Sequence, residues 1–201
     1  GWTALCDALP GSPVEELVVA VVGMGVKGVT SLAKAIPSMA VLTSLSLSGN
    51  NVGSNTVWFP ISVLLSDVDD INAGTVVRVT SSMQECKAAF DACVDDSGES
   101  IIDWDDDMKK YLGSTVTLSE VDEDGTAAFE DYGHIQALGQ AISNLTHLDI
   151  SDCSFTPASI KAFASSVTWA EAAVKKIALS KNFLFGSKTS RGMFGESKVH
   201  D

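Results

Sequence analysis

Several groups of residues have the types and spacing that chemistry needs. Gly23, Gly25 and Gly28 form a G-x-G-x-x-G run between an apolar stretch and a helical pattern, where a phosphate-cradling turn would sit. Glu120, Asp122 and Asp124 alternate ahead of Gly125, with Asp131 six residues beyond it, as oxygen ligands do in a calcium loop. Asp103, Asp105, Asp106 and Asp107 make a second acidic cluster around Trp104. His147, Asp149 and Ser151 lie within five residues and bring together the residue types of a hydrolytic triad. Cys6, Cys86, Cys93 and Cys153 complete the inventory.

Each group has a plainer explanation. About 20 residues past the glycines, at Met39–Thr43, no acid is placed to hold a ribose, and a turn in a repeat accounts for the same glycines. The acids at 120–124 follow a strand-like TVTLSEV where a calcium loop needs a helix, and Ala127 stands at the β-branched position. A hairpin turn explains them. Asp103 is expected to cap a helix over Trp104–Gly113, its neighbours favouring the helix dipole. His147 and Asp149 flank Leu148 on a strand, which directs both to solvent, and nothing orients Ser151 as a nucleophile. The cysteines lack Cys-x-x-Cys spacing and histidines are only three, so no zinc site is expected, and the thiols are expected free and mostly buried. No cofactor or metal is expected.

The elements that position these residues repeat. Leu42–Gly53, LTSLSLSGNNVG, has Leu42, Leu45, Leu47 and Val52 in a spaced pattern, with Asn50 placed to hydrogen-bond backbone groups as the chain leaves the strand. Val14, Leu17, Val19 and Met24 occupy the same slots 28 residues earlier. Leu145, Leu148, Ile150 and Phe155 recur downstream with Cys153 in the Asn slot, and Val174, Ile177, Leu179 and Leu184 recur 29 later with Asn182. Periods of this length belong to solenoids whose unit is one strand plus one helix. The pattern resembles the ribonuclease-inhibitor type of leucine-rich repeat. That resemblance implies an α/β arc, a parallel sheet on the concave side and helices outside. Val14–Val22 is expected as a strand covered on both faces, with Val29–Ile36 as its helix.

The second copy is interrupted. Its helix half, with Leu138 and Ile142 in the slots of Leu32 and Ile36, arrives about 78 residues late. The domain expectation is therefore repeats at 1–53, an apolar connecting segment at 54–72, a compact insert at 73–131, repeats at 132–186 and a loose polar tail at 187–201. Within the insert, TVVRV reads as a strand, Met83–Cys93 as a helix, and TVTLSEV–DEDG–TAAF as a hairpin. Trp104, Met108, Leu112-Gly113, Val121-Asp122 and Asp124-Gly125 follow the pattern W-x-x-x-M-x-x-x-L-G…V-D-x-D-G. This resembles the repeat domain of the Mind bomb ubiquitin ligases, which implies a small SH3-like β-barrel that binds peptide segments and has no catalytic role. Val116 in place of a turn glycine, and a long first loop, depart from that pattern.

The functional expectation is a non-catalytic protein–protein interaction module, an adaptor or a subunit of a larger assembly. Ser44, Ser46, His147, Asp149 and Lys176 are expected to line the concave sheet, and Trp104, Met108, Asp122 and Asp124 to present the insert's surface. The alternatives are a nucleotide-binding enzyme fragment using Gly23, Gly25 and Gly28, or a fragment of a ubiquitin-ligase substrate receptor. A formal charge of −13 argues against nucleic acid and anionic membrane as partners and favours other proteins. No apolar run of spanning length occurs. The first residue is Gly rather than Met, which suggests a processed or truncated chain, and an intracellular location is expected, cytoplasmic or organellar.

Overall fold

A computed structural model describes residues 1–53, 55–68 and 70–184, so the expectation of a loose tail at 187–201 lies outside the described residues. The chain divides into two compact units, residues 1–55 with 132–201, and residues 56–131.

The first unit alternates helices and strands: α1 (Trp2–Ala8), β1 (Glu16–Val18), α2 (Val26–Ala35), β2 (Ser44–Ser46), and then, after the insert, α4 (Gly133–Ala141), β9 (His147–Asp149), α5 (Pro157–Ser166) and β10 (Lys176–Ala178). The four strands form one parallel sheet in the order β1-β2-β9-β10. Leu17, Leu45, Leu148 and Ile177 stand opposite one another along the sheet. Leu47 donates its N–H to the Asp149 carbonyl at 2.8 Å and Val19 donates to Ser46 at 2.9 Å, which joins the interrupted copy to both neighbours. Parallel strands need a crossover to return the chain, and each helix supplies it while covering the outer side of the sheet. Leu32, Ile36, Leu138, Ile142 and Phe163 close the core from that side.

Each strand is only three residues long, because Asn50 and Asn182 turn the chain immediately afterwards. The Asn50 amide donates to the Val19 carbonyl at 2.6 Å and the Leu47 carbonyl at 2.7 Å, while its Oδ1 accepts from Val22 and Met24 N–H. Asn182 repeats this toward Ile150, Leu179, Cys153 and Phe155. Val14–Val22 is therefore not the long strand expected, nor is it covered on both faces: Val18 is 61% exposed, Val21 79% and Val22 56%. One side of the sheet stays open to solvent.

The second unit contains β3 (Thr56–Pro60), β4 (Leu64–Leu65), β5 (Val76–Val79), α3 (Met83–Ala92), β6 (Thr115–Thr117), β7 (Glu120–Val121) and β8 (Thr126–Glu130). These strands lie in two three-stranded antiparallel sheets, β3-β8-β7 and β4-β5-β6. Among the described residues no strand pairing links the two sheets, so no closed barrel is found. The segment expected as a connector at 54–72 contributes two strands to this unit, β3 and β4, and all five residues of β3 pair with β8. TVTLSEV does not run as one hairpin strand. Its first part pairs with β5 and its second with β8, and the chain changes sheets at the buried Leu118. Val77 and Val79 point into the core while Val76 and Arg78 point out, as strand alternation requires. Ser82 caps α3 by accepting from Glu85 N–H. The helix expected over 104–113 is a six-residue 3-10 helix, Asp106–Tyr111, and its cap is Asp105 rather than Asp103.

Candidate functional site

The open side of the parallel sheet is where the sequence-predicted partner residues fall. Period-two alternation puts Leu17, Leu45, Leu148 and Ile177 inside and their neighbours outside. Register then aligns the outward residues in rows. Glu16, Ser44, His147 and Lys176 form one row, and Val18, Ser46, Asp149 and Ala178 the next. Ser44, Ser46, His147, Asp149 and Lys176, separated by up to 132 positions in the chain, are thus brought onto one face. Glu16, Val18 and Ala178 share that face and were missed. The signal for them was present, since they occupy the slots of residues that were singled out.

The rows are partly organised. The Ser46 hydroxyl donates to Asp149 Oδ2 at 3.2 Å, and Ser151 N–H donates to Asp149 Oδ1 at 3.0 Å. Burial pushes the Asp149 carboxyl up. The bonds from Ser151 and Ser46, together with nearby Lys176, outweigh it and hold the group below the usual aspartate range. His147 Nδ1 lies 2.8 Å from the Thr146 hydroxyl. Among the described residues no hydrogen bond joins His147 to Ser46, Ser151 or Asp149. The three residues that suggested a triad therefore do not form a nucleophile–base relay. What remains is a shallow polar surface with an acid at one end of a row and a base at the other.

The glycine-rich turn opens onto a mainly apolar cleft. Gly23 has φ +67°, Gly25 caps α2, and the Gly28 carbonyl accepts from Trp2 Nε1 at 2.9 Å. A Cβ at Gly28 would lie 2.6 Å from Met24 Cγ, so this glycine allows side chains to pack over it. The cleft beside the turn, about 530 Å³, is lined mainly by apolar groups, among them Trp2, Leu5, Val19, Val22 and Met24, with Lys27 as its one cation.

In the second unit, the expected surface residues divide. Trp104 and Met108 pack against the core rather than standing free. The Trp104 ring lies 5.4 Å from Phe90, and Lys87 Nζ sits 5.8 Å above it. Phe59, at the centre, contacts Phe90, Tyr111 and Phe129. Asp122 and Asp124 are exposed in the β7–β8 turn, where Asp124 Oδ1 accepts from Thr126 N–H and hydroxyl. The turn is closed by these bonds and by Gly125 at φ +85°. No group of three or more acids, cysteines or histidines is arranged for a metal ion among the described residues. Tyr111 donates to Asp131 Oδ2 at 2.5 Å and Lys110 Nζ lies 2.7 Å from the same oxygen. Burial, and then that carboxylate, push the Tyr111 phenol well above its ordinary value.

All four cysteines are free thiols. Cys153 fills the Asn slot of the copy that follows the interrupted one, and is fully buried. Its Sγ donates to the Leu47 carbonyl at 3.2 Å and the Ser151 carbonyl at 3.3 Å. Burial raises its pKa, which keeps the proton that these bonds require. The backbone work that an Asn would do is taken over by the Cys153 carbonyl, which accepts from Gly53 N–H at 2.7 Å. A Cβ at Gly53 would fall 2.3 Å from Phe155 N, so only glycine fits this approach. Across the gap, His134 Nε2 meets the Val52 carbonyl at 2.8 Å. Gly53 and His134 are structural residues that the repeat pattern alone did not reveal, because they serve the interruption rather than the repeat.

No helix among the described residues is long and apolar enough to cross a membrane. No curated protein matches the chain. A family described as Leucine Rich repeat matches residues 38–55 and 141–164, one segment of the first unit on each side of the insert. The matches, with the parallel sheet and its outer helices, support leucine-rich repeats in this chain, a class of repeat that generally mediates protein–protein interaction.

Proposed function

We propose that the chain is a non-catalytic protein–protein interaction module, an adaptor or accessory subunit of a larger assembly, and that it receives its partner on the open face of the parallel sheet. The observation that carries this reading is the in-register row Glu16–Ser44–His147–Lys176, with Ser46 and Asp149 beside it. A rigid sheet presents these side chains at fixed spacing, and none is consumed by the core. The second unit is proposed as a separate peptide-binding module, on the likeness of its Trp104, Met108 and Asp122–Gly125 pattern to the Mind bomb repeat. The partners are proteins, with nucleic acid disfavoured for the second unit, which carries the acidic excess.

Affinity capture with the full chain, followed by crosslinking mass spectrometry, tests the reading. Crosslinks from Lys176 and Glu16 to one recurrent partner, weakened at least tenfold by His147→Ala with Lys176→Glu, are expected. Recovery of the same partner at undiminished strength by the double variant would refute it. The enzyme alternative at Gly23–Gly28 makes the opposite forecast, nucleotide binding that disappears in Gly23→Val. A flat titration of the wild-type chain with nucleotides disposes of it.

A further inference from the structure

The two outer strands of the parallel sheet differ from the inner ones in a way that points to each other. At the slot pair just before and at the strand start, β2 carries Thr43 and Ser44, and β9 carries Thr146 and His147. The outer strands carry charge there. β1 has Glu15 and Glu16, and β10 has Lys175 and Lys176, all four exposed. The β1, β2 and β9 repeats each donate N–H groups from fixed slots to the next repeat: Val19 and Val21 to Ser46 and Ser48, Leu47 and Gly49 to Asp149 and Ser151, Ile150 and Asp152 to Ala178 and Ser180. The same slots on β10 are the N–H groups of Leu179 and Lys181, and on β1 the matching acceptors are the carbonyls of Val18 and Ala20. Among the described residues none of these four groups has a hydrogen-bond partner.

The helix layer is complementary as well. Each strand follows its own helix, α1 before β1 through α5 before β10, so four helix–strand units end on a strand and begin on a helix. Val21 is 79% exposed beside the apolar cleft of Trp2, Leu5, Val22 and Met24, and its φ of +53° is the turn geometry that Gly49, Asp152 and Lys181 share in the other three repeats. The opposite end of the unit exposes Phe183 and Trp169, two aromatic groups of the kind such a cleft takes. Val22 in the Asn slot is no bar to stacking, since Cys153 fills that slot within the sheet and its carbonyl takes over the hydrogen bonds.

We infer that β1 of one copy receives β10 of a second copy in parallel register, so that Lys175 and Lys176 lie against Glu15 and Glu16 and the sheet continues head to tail across the contact. Such a contact is heterologous. It joins two different surfaces and leaves each new end free to add another copy. Glu16 and Lys176 also end the row on the open face, whereas Glu15, Lys175 and the unpaired edge N–H and carbonyl groups lie outside it.

Sedimentation velocity of the full chain at about 0.15 M salt, where repulsion between net charges is screened beyond about 8 Å, tests it over concentrations up to about 200 µM. Wild type is expected to show a weight-average sedimentation coefficient that rises with concentration. Glu15→Lys with Glu16→Lys, and separately Lys175→Glu with Lys176→Glu, should each weaken association at least tenfold, with circular dichroism unchanged because all four side chains are exposed. An equimolar mixture of the two double variants pairs opposite charges again at every contact and should recover the wild-type behaviour. A wild-type chain that stays monomeric throughout overturns the inference, whatever else covers the edge, and so does a mixture that stays as weak as its components.

Discussion

Single side chains decide whether this backbone can turn every 28 residues. Asn50 satisfies two carbonyls and two N–H groups that are buried once the repeats stack. Leaving one such group unpaired costs about 1–3 kcal/mol. Asn50→Ala is therefore expected to destabilise the chain by about 3 kcal/mol or more, measured as a lower urea midpoint at unchanged slope. Asp149 makes a pH-dependent forecast. Its folded-state pKa lies below the unfolded value, so its stabilisation is present above the unfolded pKa, near 4, and is lost as pH falls through the folded one. Wild type should lose its stability advantage over Asp149→Asn across that acid window, and thermal melts from pH 6 down to about pH 2 will show whether the two curves converge. The Asn slot was legible in the sequence because its neighbours repeat. Cys153 in the same slot was legible as a substitution, but its consequence was not, since the carbonyl that replaces the Asn side chain belongs to the backbone.

At the scale of elements, apolar spacing was a sound guide to helices and a poor one to strand length. Leu138 and Ile142 mark the face of α4 as Leu32 and Ile36 mark that of α2, and all four are buried. Val14–Val22 is apolar nearly throughout, yet only Glu16–Val18 is strand, because the Asn-capped turn ends each strand after one inward residue. Periodicity registers what is apolar and cannot distinguish a residue covered by helices from one left on an open edge. The approach of α5 to α4 is also invisible to it. A Cβ at Gly139 would lie 2.0 Å from Ser166 Oγ and 2.9 Å from the Phe163 carbonyl. Gly139→Ala is expected to cost about 1–3 kcal/mol through overpacking, despite the better helix propensity of alanine, and thermal denaturation of that variant tests the contact. In the second unit, α3 and the strands from β5 on were legible from 3–4 spacing and β-branching, whereas β3 and β4 were not, since their stretch read as a connector. The change of sheet at Leu118 was not, because a strand that switches partners keeps the same alternation.

For the whole molecule, the charge is divided between the units. Residues 56–131 hold 18 of the 26 acidic residues and 4 of the 13 basic ones, a formal −14 that leaves +1 for the remainder. The acidity that argues against nucleic acid is thus a property of the insert and says little about the repeats. The first unit has its own core, its own sheet and a turn closed by Gly53 and His134. Replacing residues 56–131 with a short Gly-Ser linker is expected to leave a folded α/β unit near charge neutrality, as judged by circular dichroism and a cooperative melt. Loss of cooperative unfolding would show that the repeats need the insert.

The antiparallel pairing of β3 with β8 sets Thr56 directly opposite Glu130, so the two ends of the insert meet. That bears on the order of events during folding. Leu45 and Leu148 are 103 positions apart, and joining β2 to β9 through a disordered chain of that length carries a large loop-closure entropy. Once the insert is folded, the effective loop shrinks to roughly 30 residues and the closure cost falls by about 1 kcal/mol. The insert would then act as a clasp that forms first and hands the repeats a nearly continuous chain. Phe59→Ala, at the heart of that clasp, should slow formation of the parallel sheet although it lies in a different core, and stopped-flow refolding will measure the delay. An interruption of this kind is compatible with a repeat protein only when the interrupting segment returns the chain to where it left.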